Sequence, residues 1–180
     1  MRDGPVEAQE PETRSWLVRL CETEGDEHRQ FVVFRVGEAW MAIPVSEVRH
    51  VERLRELTLV PGAPPFVRGM MISRGEAVPV VDLAERLGLG ASDMDPRTRV
   101  LVVQAGDQGV GLLAGRTVEV LYVSEEEVEP APPKRGGVDE RFLLGVARLS
   151  GRDVSILELQ RLLTTSDAEG RQSPQMGPEV

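Results

Sequence analysis

The chain has 180 residues, 41% of them hydrophobic and 4% aromatic, with one cysteine and a formal net charge of −9. That length allows one domain of ordinary size or two very small ones sharing a core, while the lone Cys21 excludes an internal disulfide and a multi-cysteine zinc site and fits a reducing compartment. The acidity lies mainly in the tails: residues 1–28 carry three arginines against eight acids and residues 164–180 one against three, which leaves −2 for residues 29–163 and no basic stripe to attract nucleic acid.

Taken in order, Met1 to Arg14 is rich in Pro and Glu, and residues 1–28 are expected to be a disordered acidic extension. Within it Ser15-Trp-Leu-Val-Arg-Leu-Cys21 is a short apolar island, readable as a strap that packs back on the domain or as a tethered docking peptide. No secretory h-region follows a basic start and no apolar run is long enough for a bilayer, so a soluble, cytoplasmic protein without direct membrane insertion is expected. Order is expected from about Gln30. Phe31 to Val36 reads as a strand, Gly37-Glu38 as a hairpin turn and Ala39 to Ile43 as the returning strand. Pro44 to Val48 reads as a single helical turn or an irregular corner, and Arg49 to Leu54 as a third strand. Leu57 to Val60 leads into Pro61-Gly-Ala-Pro-Pro65, which cannot be regular structure.

The next stretch organises the rest. Gly69 to Ile72 and Ala77 to Val81 are short apolar strands about the turn Ser73-Arg74-Gly75-Glu76, with Gly75 free to take a positive φ. Pro79 lacks an N–H, which predicts an edge strand or a bulge here. By spacing alone Arg74 is a solvated turn arginine. Leu83 to Leu87 reads as a short helix ended by Gly88 and Gly90, and Ala91 to Arg97 as a polar linker.

The second half repeats the first. Gly37 meets Gly106, Ala42-Ile43 meets Gly111-Leu112 and Val51 meets Val120 at an offset of 69; Phe66 to Gly69 meets Phe142 to Gly145, Gly75 meets Gly151, and Asp82-Leu83 meets Glu158-Leu159 at an offset of 76. The extra seven residues fall in the loop Glu129 to Glu140, where an insertion costs little. The reading is all-β with short helices: two small β-barrels, the halves roughly 29–90 and 98–164, packed together with a groove between them, and a disordered tail at 165–180.

Catalytic patterns are missing. His28 and His50 are far apart with no nearby cysteine, a weak metal case, and no nucleophile elbow or phosphate-cradling loop occurs. Gly109 to Gly115 is glycine-rich but sits in a strand pattern, and is read as a strand with a bulge. Asp82 and Glu158 could do acid–base work as a pair, but their equivalent positions at helix starts argue for capping. The expectation is a binding module, not an enzyme, with no cofactor and no metal.

Residues 29–164 resemble the CheW-like chemotaxis adaptor family. The motifs are Val60-Pro-Gly-Ala-Pro-Pro-Phe-Val-Arg-Gly69, Ser73-Arg-Gly-Glu-Ala-Val-Pro-Val-Val-Asp-Leu83, Gly111-Leu-Leu113, Val118-Glu-Val-Leu121, Pro130-Ala-Pro-Pro133 and Gly145-Val-Ala147. The resemblance implies two five-stranded SH3-like β-barrels around a shared hydrophobic core. It also implies a scaffold that couples the helical hairpin tip of a chemoreceptor to the regulatory domain of a CheA-type histidine kinase in signalling arrays. The partner-binding residues it implies are Val48, His50, Gly69, Arg74 and Gly75, with Arg74 similar to a residue needed for coupling. The chain departs from the family pattern at Ala114-Gly115, where Val-Asp is usual, at Glu158, commonly Asp, and at His50, often acidic. Two other readings stand beside this one. The first is a small-molecule sensor using the inter-barrel groove, which needs convergent buried polar groups. The second is a diverged adaptor that binds only the receptor and insulates the kinase.

Overall fold

The computed structural model describes residues 28–116 and 118–164. Of the extension expected to be disordered, 1–28, residues 1–27 with the apolar island lie outside the described residues, as does the tail at 165–180, while His28 itself belongs to the first strand. In chain order the strands are β1 (His28–Val36), β2 (Ala39–Pro44), β3 (Val48–Arg53), β4 (Val67–Ser73), β5 (Glu76–Asp82), β6 (Arg99–Ala105), β7 (Gln108–Ala114), β8 (Val118–Ser124), β9 (Val128–Glu129), β10 (Lys134–Arg135), β11 (Val138–Asp139), β12 (Leu143–Leu149) and β13 (Arg152–Leu157). Two short helices, α1 (Leu83–Arg86) and α2 (Leu159–Leu163), follow β5 and β13. The protein is mostly β, in two main sheets ordered β8-β1-β2-β13-β12-β9 and β3-β6-β7-β5-β4, with β10 and β11 forming a small ribbon. Each main sheet has five full strands; the two-residue β9 is a sixth on the first.

The repeat is present in the backbone. The turn glycines Gly37 and Gly106 have φ 60° and 62°. Gly69 and Gly145 each follow a register slip in their hairpins, and in each a Cβ would sit 2.7 Å from a carbonyl oxygen earlier in the same half, that of Thr58 or of Glu129. Beyond them Asp82 N–H donates to Phe66 O at 2.7 Å, and Glu158 N–H to Phe142 O at 2.8 Å.

The two halves do not each close their own sheet. Each half lends its opening hairpin to the other. β5 pairs in parallel with β7 (Val80 opposite Gly111), and β13 in parallel with β2 (Ile156 opposite Ala42). The third strand of each half follows the same exchange, β3 lying on β6 and β8 on β1.

This exchange explains the strand compositions. In β6, Val100 and Val102 face the interior of the five-stranded sheet with Met71, Val78, Val80 and Leu113, while Leu101 and Val103 face the core between sheets. A strand buried on both faces needs the unbroken Val-Leu-Val-Val run seen here. Among the described residues the shared cluster holds 20 buried residues, against eight and six inside the individual sheets. Neither sheet therefore has a sufficient core of its own.

Arg86 of α1 joins the halves. Its guanidinium lies 4.9 Å from the ring centroids of both Phe66 and Phe142, the repeat-equivalent phenylalanines. It also donates to the carbonyls of Leu162 (2.9 Å), Arg161 and Thr164, satisfying the end of α2.

Two local expectations change. Pro79 does not lie on an edge strand, since β5 runs between β7 and β4, but the β4–β5 register slips beside it, between Val67 and Gly69 opposite Val81 and Val80. Pro79 is tolerated because the β5–β7 ladder begins only at Val80. The β6–β7 register is continuous from Arg99 opposite Ala114 to Ala105 opposite Gln108, so Gly109 to Gly115 contains no bulge against β6. Its glycines serve close approach instead: a Cβ on Gly111 would stand 2.7 Å from Val100 Cγ1.

Candidate functional site

The predicted partner-binding residues fall on β3 and on the β4–β5 hairpin, the two ends of the five-stranded sheet. Pro44 ends β2, a 3-10 turn spans Val45–Glu47, and the chain enters β3 at Val48. Val48 is half-buried against the shared core. The register slips between Val48 and His50, and the extra residue, Arg49, reaches over the sheet end. Its Nε donates to Gln104 Oε1, and its guanidinium stands 3.5 Å from Glu76 Oε2.

After the slip, His50 and Glu52 share one face of β3 and point at β4. His50 Nε2 is 2.9 Å from Ser73 Oγ and 2.9 Å from Glu52 Oε2, and Ser73 Oγ donates to the same carboxylate. No ladder pairs β3 with β4. This cluster and the isolated bridge between Thr58 and Met70 bring the two ends together, so the sheet closes around its apolar interior. Burial opposes ionisation of Glu52, but hydrogen bonds from Ser73 and His50, with the charges of His50 and Arg55, hold its carboxyl below the usual carboxylate range.

Ser, His and Glu together invite a catalytic reading, and the geometry removes it. A nucleophilic triad uses the two ring nitrogens for different partners; here Nε2 faces both. Ser73 is 2% exposed and directs its proton to Glu52, away from solvent. The cluster is a clasp. Among the described residues no group of three or more His, Cys, Asp or Glu could hold a metal ion.

Directly beyond Ser73 the chain turns. Arg74 has φ 50° and Gly75 φ 86°. Positive φ at both central residues suits the twist of a two-residue hairpin. The counterpart turn in the second half has the same form, with φ 52° at Ser150 and 76° at Gly151. A non-glycine residue in this region costs about 1 kcal/mol or more, so Arg74 is held there by the clasp behind it. Its side chain is exposed. Ile72, one residue before Ser73 and on the opposite face, is 60% exposed.

The structure therefore brings His50, Arg74 and Gly75 together at one end of the sheet. Val48 lies two residues back along β3, on the slope of the shared core. Gly69 stands apart, four residues before Ser73, and is buried. A side chain there would strike Thr58 O, so Gly69 shapes the hairpin through its backbone. Sequence reasoning missed Ser73, Glu52 and Arg49. The i, i+2 spacing of His50 and Glu52 is the one signal that could have paired them, since it puts both on one face of a strand; nothing in it indicates Ser73.

The two acids singled out for capping differ. Asp82 is fully buried and caps α1, accepting from Ala84 and Glu85 N–H; it also accepts from Ser92 N–H and Oγ and pairs with Arg68 at 2.9 Å. Glu158 stands at the same position of α2 and makes no side-chain cap bond. Burial, then the nearby Glu158 charge, raises the Glu47 carboxyl to about 7.

A groove of about 740 Å³ lies beside the β1–β2 turn, lined by Trp40, Met41, Leu89 and Val138 among others, with Ser155 its one buried polar residue. Among the described residues no helix is long and apolar enough to cross a membrane.

The CheW-like domain model matches residues 30–167. Protein FrzA of Myxococcus xanthus is 31% identical over 150 residues, covering 82% of this chain and 93% of the relative. Chemotaxis protein CheW of Rhizobium meliloti is 30% identical over 141 residues, covering 78% and 91%. The crystal structure of scaffolding protein TtCheW from Thermoanaerobacter tengcongensis superposes with a TM-score of 0.72 at 27% identity, covering 80% of this chain and 93% of that one.

Proposed function

Because the chain belongs to the CheW-like domain family, we propose that it is a non-enzymatic, cytoplasmic scaffold that couples chemoreceptor tips to the regulatory domain of a CheA-type histidine kinase in signalling arrays. The observation that carries this reading to particular residues is the clasped turn. An exposed cation, Arg74, stands on a backbone fixed in a rare conformation and backed by Ser73, His50 and Glu52. A backbone fixed in this way has little conformational freedom of its own to lose on binding. Val48, His50, Gly75 and Arg74 form the coupling surface, and Gly69 acts by setting the hairpin's shape. The small-molecule reading has less support, because the 740 Å³ groove offers only one buried polar residue where several convergent groups are needed.

The test is calorimetric titration of the full chain into the regulatory domain of the histidine kinase encoded nearest to it, and separately into a receptor-tip fragment. Micromolar or tighter binding to both is expected. Binding to the receptor alone would favour the insulating adaptor, and silence with both would overturn the coupling reading.

A further inference from the structure

The end strand β8 carries an apolar face that the described residues leave open. Along β8, Val118, Val120 and Tyr122 alternate onto the side facing the shared core, opposite Phe34, Val32 and Gln30 of β1. Val118 packs on that core, but Val120 is 52% exposed and Tyr122 62%. The Tyr122 hydroxyl accepts from Gln30 Nε2 at 2.9 Å, which fixes the ring as a platform at the edge of the sheet. Valine and tyrosine held side by side in solvent suit an apolar occupant.

The chain itself supplies one. Residues 1–27 enter the fold at His28, which pairs with Ser124 at the end of β8. The apolar run of that segment is Trp16 to Cys21, broken by Arg19, preceded by Arg14 and Ser15 and followed by the acidic stretch 22–27. Six residues, 22–27, separate it from His28 and can span about 23 Å when extended. Tyr122 and Val120 lie two and four residues along β8 from Ser124, about 7 and 13 Å at strand rise. The geometry points to an intramolecular strap: Trp16 and Leu20 seat on Val120 and Tyr122 and cover this face until a partner displaces them.

The single cysteine makes the test direct in the full chain. A nitroxide attached to Cys21 broadens nearby signals. Val120 methyl and Tyr122 ring signals are followed in the labelled wild type and in labelled Trp16→Ala/Leu20→Ala. The expected result is strong loss of both signals in the wild type and their recovery in the double variant, while Arg29 and Ser124, close to the tether, stay broadened in both. Equal broadening of Val120 and Tyr122 in the two proteins would reflect the tether alone and overturn the strap, as would their absence from the broadened set. A mixture of labelled, unenriched chain with unlabelled, isotope-enriched chain distinguishes a second copy as occupant. Broadening of Val120 in that mixture, equal to that within one chain, would also overturn the proposal.

Discussion

His50 Nε2 lies 2.9 Å from Ser73 Oγ, a contact between the first and last strands of a five-stranded sheet that no backbone ladder joins. With Glu52 it forms the seam on which the Arg74 turn rests. Ser73→Ala should leave Glu52 and His50 short of a buried partner and cost about 1–3 kcal/mol. Urea denaturation measures the cost. Hydrogen exchange should show the loss concentrated at Arg74, Gly75 and the end of β4; uniform loosening of the whole sheet would mean that the seam is not local.

Arg74 separates stability from binding. Arg74→Asn places a residue suited to positive φ in the turn and should stabilise the fold by a few tenths to about 1 kcal/mol. Arg74→Glu should leave the midpoint of unfolding nearly unchanged and weaken partner binding by about 1–3 kcal/mol if the contact is central. Equal binding by wild type and Arg74→Glu would remove Arg74 from the coupling surface.

Gly69→Ala and Gly145→Ala test the repeat. Each new Cβ meets a carbonyl oxygen at 2.7 Å, and Gly69 also has φ 146°, a conformation L side chains rarely adopt. Both variants should lose stability, by about 1–3 kcal/mol for a forced backbone shift, and Gly69→Ala should lose more. Denaturant midpoints decide the order.

Asp82 holds α1, Arg68 and the Ala91–Arg97 linker at once, through Ser92. Asp82→Ala strands Arg68 beside a buried cavity and should cost about 3–5 kcal/mol. The equivalent Glu158→Ala should cost far less, since Glu158 makes no cap bond. Thermal unfolding of the two variants reads the asymmetry.

Glu47 and Glu52 respond to pH in opposite directions. Glu47 has a folded value of about 7 against 4.5, so the folded protein binds the proton more tightly. Ionisation then costs stability as pH rises from about 4.5 to 7, with the full cost present above 7. Glu52 is shifted down, so its contribution is present above the unfolded value and lost as pH falls through the folded one. Glu47→Gln should raise the urea midpoint at pH 8 and flatten its decline between pH 5 and 7; an unchanged slope would mean that Glu47 is solvated.

Much of this architecture was legible in the chain because its causes are local. Strand positions followed from runs such as Phe31 to Val36 and Val78 to Val81. Turns followed from Gly37, Gly75 and Gly151, and the repeat from glycines and phenylalanines at matching offsets. Pairing was not local. The two halves carry nearly the same apolar pattern, so exchanging β1–β2 for β6–β7 leaves every strand with the same buried and exposed faces. Only packing around the shared core decided that each hairpin lies on the other half's strands. For the same reason Pro79 could sit inside a sheet, where the neighbouring ladder starts one residue later. The clasp of His50, Glu52 and Ser73 was likewise set by tertiary structure, because it joins strands that meet only when the sheet curls closed.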